Sequence, residues 1–240
     1  MKGLTMRIAR VLATCFCLGA LLAAPSAGAE GPASARLAQL PLVEVAAVGG
    51  GDTLAVLYSG DGGWAGIDAG LAGDFAKAGV PVVGVNSLRY FWNQRSAPEA
   101  AADLTAVLDH YMATWRRPKV ILVGYSFGAD ALPAIVSRLS PQLRAHVRLM
   151  ALVGVGRTGE LKFQPGSWLN MSSAGAYPIA PVLAGLGALP RVCIFGDHDP
   201  HEACTRFSPG EVRAVRLAGG HHFDGDYAPV SAAILKSAGL

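Results

Sequence analysis

Apolar residues gather in runs at 53–59 (TLAVLYS), 80–85 (VPVVGV), 119–124 (KVILVG), 147–155 (VRLMALVGV), 191–196 (RVCIFG) and 212–218 (VRAVRLA). Most of these runs are continuous rather than alternating, as parallel strands require when helices cover both faces of their sheet. Between the runs the period changes, and helical spacing appears over 67–78, 98–115, 127–139 and 227–238. The clearest case is PEAAADLTAVLDHYMATW at 98–115: Pro98 suits a first helical turn, and Leu104, Val107, Leu108, Tyr111 and Trp115 fall along one face. Those positions predict core, not a ligand stripe. Strand and helix in alternation predict an α/β fold with a doubly wound, mostly parallel sheet, right-handed crossovers and helices on both faces. No internal repeat interrupts this order. The one long connection, about 156–189, contains TGELKFQPGSWLNMSS and AYPIAPVLAGLGALP. It is too short for a large cap domain and leaves room for a modest flap beside the strand ends, where ligands bind in such sheets.

The N-terminus breaks the pattern. Lys2, Arg7 and Arg10 precede an apolar run from Val11 to Ala24 and then Ala27-Gly28-Ala29. This order predicts a signal peptide over 1–29, followed by a flexible EGPASA and a single domain over 30–240. The apolar run is shorter than the ~20 residues of a spanning helix, and Thr14 before Cys15 argues against a lipoprotein. Taking those three cations from the 20 basic residues leaves 17, equal to the 17 acidic ones. The mature chain then has no basic excess to bind nucleic acid, and no charge run longer than Arg116-Arg117. Cys15 and Cys17 leave with the signal, so Cys193 and Cys204 remain, a short loop apart. In an exported protein that predicts a disulfide.

Chemistry concentrates at the ends of the predicted strands. GYSFGAD (124–130) closes the strand at 119–124 and opens a helix. Glycines on both sides of Ser126 suit a sharp nucleophile elbow, although serine is also a common helix cap. Two other segments decide between these readings: GDHD (196–199) follows the strand at 191–196, and GGHHFDGD (219–226) follows the strand at 212–218. A serine, then an acid, then a histidine, each just past a strand end, predict a Ser-His-Asp serine hydrolase. Ser126 is the nucleophile. Asp199 is preferred to Asp197 as the acid because it lies further into its loop; His222 is preferred to His221 as the base because Phe223 beside it can orient the ring. Phe127 and, most simply, Asp61 in SGDGGW (59–64) supply the oxyanion-hole N–H groups. The Asp61 carboxylate is also placed to attract a cationic group on a substrate, unless it only caps its own turn. Trp64 and Tyr90 join it as candidate substrate contacts, the latter in an aromatic run Tyr90-Phe91-Trp92 that cannot all face one core. The rival metal set (Asp197, His198, Asp199, His201, His221, His222, Asp224) matches no helix-borne zinc spacing and leaves the elbow unexplained, so neither a metal nor a cofactor is expected.

SGDGGW, GYSFGAD, the CIFG strand with its acids and second cysteine, and GGHHFDGDY together resemble the bacterial virulence protein family of AcvB and VirJ, from Tyr58 almost to the C-terminus. The resemblance implies an α/β-hydrolase fold, a periplasmic location, an association with type IV secretion and hydrolysis of lysyl-phosphatidylglycerol. It supports Ser126 as nucleophile and the GGHHF histidines as base. The implied partners are an aminoacyl-phospholipid at the membrane surface and type IV secretion components, with the chain acting as a monomer. The alternative is a non-enzymatic periplasmic adaptor on a hydrolase-like scaffold.

Overall fold

Successive strand residues face opposite sides of a sheet, and in the centre of this one both sides are apolar. In the computed structural model, which describes residues 32–163 and 175–240, Leu54, Val56, Tyr58, Leu122, Met150 and Leu152 line one face. Ala55, Leu57, Ile121, Val123, Ala151 and Val153 line the other. The seven strands run in the spatial order β1 (Leu42–Val45), β3 (Val82–Val85), β2 (Thr53–Tyr58), β4 (Lys119–Tyr125), β5 (Val147–Val153), β8 (Arg191–Gly196) and β9 (Arg213–Leu217). All pairings are parallel except β1 with β3. Helices α4 (Ala97–Thr114), α5 (Phe127–Ser137) and α7 (Ile179–Ala184) cover the first face; α2 (Gly66–Lys77) and α8 (Ala228–Ala238) cover the second. The shorter helices are α1 (Pro32–Leu37), α3 (Ser87–Tyr90) and α6 (Pro141–His146). This is the predicted doubly wound architecture.

The longest helix starts where its sequence says it should. The Ser96 hydroxyl accepts the Glu99 N–H, and the Glu99 carboxylate accepts the Ser96 N–H at 2.8 Å, a reciprocal cap worth about 1 kcal/mol. Those N–H and hydroxyl donors hold the Glu99 carboxyl below its ordinary range.

Three local features differ from expectation. The edge strand β1 was not predicted, because LVEV is short and only half buried and so leaves no continuous apolar run. EGPASA was expected to be flexible, but α1 begins at Pro32; its Arg36 reaches the buried Asp103 of α4 at 2.6 Å, and Leu37 packs against the core. Among the described residues the long connection forms a two-residue pair, β6 (Thr158–Gly159) with β7 (Tyr177–Pro178), and then α7, which drives Ile179 and Leu183 into the core. Among the described residues no large cap arises from it. The predicted signal peptide and residues 164–174 lie outside the described residues. Among the described residues no helix is long and apolar enough to cross a membrane.

Candidate active site

Strand β4 ends at Tyr125, and Ser126 turns the chain into α5 with φ 50° and ψ −119°, a conformation that side chains seldom adopt. The Ser126 N–H is tied to the Val153 carbonyl of β5 at 2.8 Å, which helps to hold this strained backbone. The flanking glycines have a measurable reason. A Cβ at Gly124 would lie 2.5 Å from the Gly128 carbonyl oxygen, and one at Gly128 would lie 2.3 Å from that of Tyr58. Only glycine at both positions lets the first turn of α5 press onto β4 and β2.

The ring that meets Ser126 is His221. Its Nε2 is 2.9 Å from the Ser126 Oγ, and its Nδ1 is 2.7 Å from the Asp199 Oδ2. This corrects the preference for His222, whose Nδ1 lies instead 2.6 Å from the Tyr125 hydroxyl. The physical reason lies in the turn: Phe223 is buried, as expected, but it and Asp224 adopt φ near 50° (50° and 52°), which swings the chain so that the first imidazole faces the serine. The His221 ring also lies against Gly154, where a Cβ would come within 2.9 Å of its Cε1. The Asp199 side chain is 1% exposed and that of His221 29%, so the carboxylate is dry while the imidazole keeps access to solvent. Asp199 is fixed in turn by accepting the His201 N–H at 3.0 Å. Asp197 serves differently, accepting the Gly219 N–H at 3.0 Å and so joining the two loops.

The Cys193–Cys204 disulfide ties β8 to the end of the loop that carries Asp199, and the Ala203 N–H adds a bond to the Val155 carbonyl at 3.0 Å. Among the described residues no group of three or more His, Cys, Asp or Glu is placed to hold a metal ion. His198 of the rival set is 82% exposed, with its Nδ1 3.4 Å from Asp197.

The SGDGGW loop passes directly beside Ser126: a Cβ on Gly60 would stand 3.6 Å from that of Ser126. Among the described residues, the N–H groups of Asp61 and Phe127 have no protein acceptor. The loop is braced from α2, where Asp68 accepts the Ala65 N–H at 3.3 Å. Asp68 is 2% exposed and, among the described residues, its Oδ1 has no hydrogen-bond partner; burial pushes its carboxyl up to about 7. A second unusual carboxyl belongs to Asp130, one turn after Ser126. It accepts the Gly156 N–H at 2.7 Å and is pushed up to about 8, first by burial and then by Glu160 and Asp61. Neither Asp68 nor Asp130 was singled out in the sequence, although Asp130 lies inside the GYSFGAD motif itself.

One expected substrate contact is corrected. Tyr90 is 2% exposed and its hydroxyl donates to Asp103 at 2.5 Å, so it is part of a buried polar pair. Trp64 lies over Gly84 of β3, in the space a side chain there would fill, and packs against the core. Of the aromatic run, only Trp92 is well exposed, at 61%, and it stacks on Phe163 of the long connection.

The profile described as "Bacterial virulence protein (VirJ)" matches residues 52–239. Among solved structures, the fold is similar to Est1E from Butyrivibrio proteoclasticus, at 12% identity and TM-score 0.61 over 83% of this chain and 94% of that one. A putative dienelactone hydrolase from Klebsiella pneumoniae subsp. pneumoniae MGH 78578 gives 13% identity and TM-score 0.58 over 83% and 92%. XC6422 from Xanthomonas campestris, described as a serine hydrolase without lid, gives 14% and 0.53 over 82% and 86%. No curated protein matches the sequence. At these identities the structural likeness establishes an α/β-hydrolase fold, and activity must be argued from the site.

Proposed function

Because the chain belongs to the VirJ family of bacterial virulence proteins over residues 52–239 and has a hydrolase-like fold, we propose that it is a periplasmic serine carboxylic-ester hydrolase. Its substrate in this reading is the aminoacyl ester of aminoacyl-phosphatidylglycerol, the lysyl ester above all, met at the membrane surface. The observation that carries the reading is the unbroken line Asp199–His221–Ser126, with contacts of 2.7 and 2.9 Å.

The Ser126 Oγ attacks the aminoacyl carbonyl carbon as His221 Nε2 takes its proton, and the Asp199 carboxylate stabilises the imidazolium. The carbonyl oxygen becomes an oxyanion, for which the Asp61 and Phe127 N–H groups are the available donors. Collapse of this intermediate breaks the ester bond, and His221 returns the proton to the departing glycerol oxygen. Water, deprotonated by the same ring, then attacks the acyl-enzyme and releases the amino acid. The cycle consumes one water and needs no cofactor.

Support for a cationic acyl group comes from the carboxylates around the serine. The Asp130 carboxyl is pushed up first by burial and then by Glu160 and Asp61, and an ammonium group entering beside Asp61 would meet an opposite charge there. The predicted signal peptide and the disulfide support export. The test is to incubate the purified protein with vesicles of lysyl- and other aminoacyl-phosphatidylglycerols, and with short-chain esters, reading products by mass spectrometry. Free lysine and phosphatidylglycerol are expected. Release of fatty acids overturns the substrate, and a folded protein that turns over no ester favours the adaptor of type IV secretion.

A further inference from the structure

Two adjacent imidazoles stand at this site, and the mechanism uses one. The other, His222, places Nδ1 2.6 Å from the Tyr125 hydroxyl, and the same hydroxyl is 3.4 Å from the backbone carbonyl of His221. Tyr125 is 4% exposed, lies at the end of β4 and immediately precedes the nucleophile. One phenol therefore stands between the strand that carries Ser126 and the loop that carries its base. The three rings form a close group, with centroids 5.6 Å apart for Tyr125 and His221, 6.3 Å for Tyr125 and His222, and 5.4 Å for the two histidines.

The loop needs external holding. Phe223 and Asp224 sit consecutively at φ 50° and 52°, where residues with side chains are disfavoured, so the turn is not maintained by its own preferences. Phe223, 2% exposed, anchors it on the apolar side. The polar anchor is Tyr125. Burial, with Asp68 nearby, pushes the Tyr125 pKa up, so its hydroxyl keeps its proton. A hydroxyl has one proton to give and lone pairs to accept with. The assignment that satisfies both contacts has His222 Nδ1–H donating to the Tyr125 oxygen while the Tyr125 O–H points to the His221 carbonyl.

We propose that Tyr125 and His222 form a latch that sets the position of His221 against Ser126. His222 is thus a positioning residue, and so is the second residue of the GYSFG elbow. The proposal rests on the serine-hydrolase reading above. A base displaced by about an ångström loses on the order of 100-fold in rate, and a latch that only tightens its placement accounts for part of that.

The experiment compares Tyr125→Phe, which removes one oxygen and keeps the ring, with His222→Phe, His222→Asn and the Tyr125→Phe/His222→Phe double variant. All are assayed on a p-nitrophenyl ester, with thermal midpoints as a check on folding. Tyr125→Phe and His222→Phe are expected to lower kcat about 10-fold or more, with KM within about twofold. His222→Asn, whose amide N–H can stand where Nδ1–H stood, should keep kcat within about threefold. The double variant should be no worse than the poorer single, since both break one chain of contacts. A kcat unchanged in Tyr125→Phe and His222→Phe overturns the latch, as does an Asn variant no better than Phe. Labelling of the parent protein by a fluorophosphonate separates the two readings. A parent that reacts at Ser126, with variants unaffected, sinks the latch alone; a parent that does not react sinks the hydrolase reading and the catalytic role of the latch with it.

Discussion

Removing the Ser126 hydroxyl takes away the proposed nucleophile and leaves the buried core untouched, since among the described residues the side chain's polar partner is His221. Ser126→Ala is therefore expected to fold normally and to lose ~10⁴-fold or more in kcat/KM. His221→Ala should match it, because among the described residues that ring is the base that contacts Ser126, while His222→Ala should lose far less. Steady-state assays of the three variants check the ranking. Asp61→Asn separates two roles in one residue, as it keeps the backbone N–H and removes the charge. Activity should fall more on lysyl-phosphatidylglycerol than on an uncharged short-chain ester; equal losses would mean that Asp61 only shapes its loop. Most of this site was legible because Ser126, Asp199 and the histidine pair each follow a strand. The choice between His221 and His222 was not, because it depends on two left-handed backbone angles at Phe223 and Asp224, and a phenylalanine gives no sign of such a turn. Tyr90 misled for a similar reason: its partner Asp103 lies on another helix, where sequence spacing gives no hint of the contact.

At the scale of elements, continuous apolar runs marked β2, β4, β5 and β8, where burial on both faces erases alternation. β9 was legible from its branched apolar residues even though it is an edge; its exposed Arg213 also guards that edge against pairing. Strand β1 escaped because four half-buried residues carry little signal. The loop between β8 and β9 depends on a covalent tie. Cys193 and Cys204 are 11 residues apart, and closing such a loop is worth ~3 kcal/mol in the chain-entropy picture. Cys193→Ser/Cys204→Ser should lose stability of about this size in urea unfolding. It should also lose activity at temperatures where it remains folded, because the released loop carries Asp199. Full activity in a destabilised double variant would show that the acid is held without the disulfide.

For the whole molecule, the perturbed carboxyls set how stability varies with pH. Asp68 has its pKa raised from 3.8 to about 7, so the folded state keeps a proton that the unfolded chain releases above pH 4. That contribution is fully present at low pH and is lost as pH rises through about 7, with a slope of at most about 1.4 kcal/mol per pH unit. Asp130, raised to about 8, acts with the same sign. Asp74 and Glu99, held low by their donors, act with the opposite sign and lose their contribution only in stronger acid. Urea unfolding should therefore give a more stable protein at pH 5.5 than at pH 8.5, and Asp68→Asn should narrow that gap. An unchanged gap in the variant would mean that Asp68 does not hold its proton. The turn at Ser126 bears on stability in another way. A side chain at φ 50° and ψ −119° costs on the order of 1–3 kcal/mol, and glycine at the same position would escape most of that cost while giving back part of it through a freer unfolded chain. Ser126→Gly is then expected to be inert as a catalyst yet more resistant to urea than the parent, by about 1 kcal/mol. Durability and turnover would be opposed at a single atom pair, so any selection of this chain for heat resistance alone would tend to discard its nucleophile first.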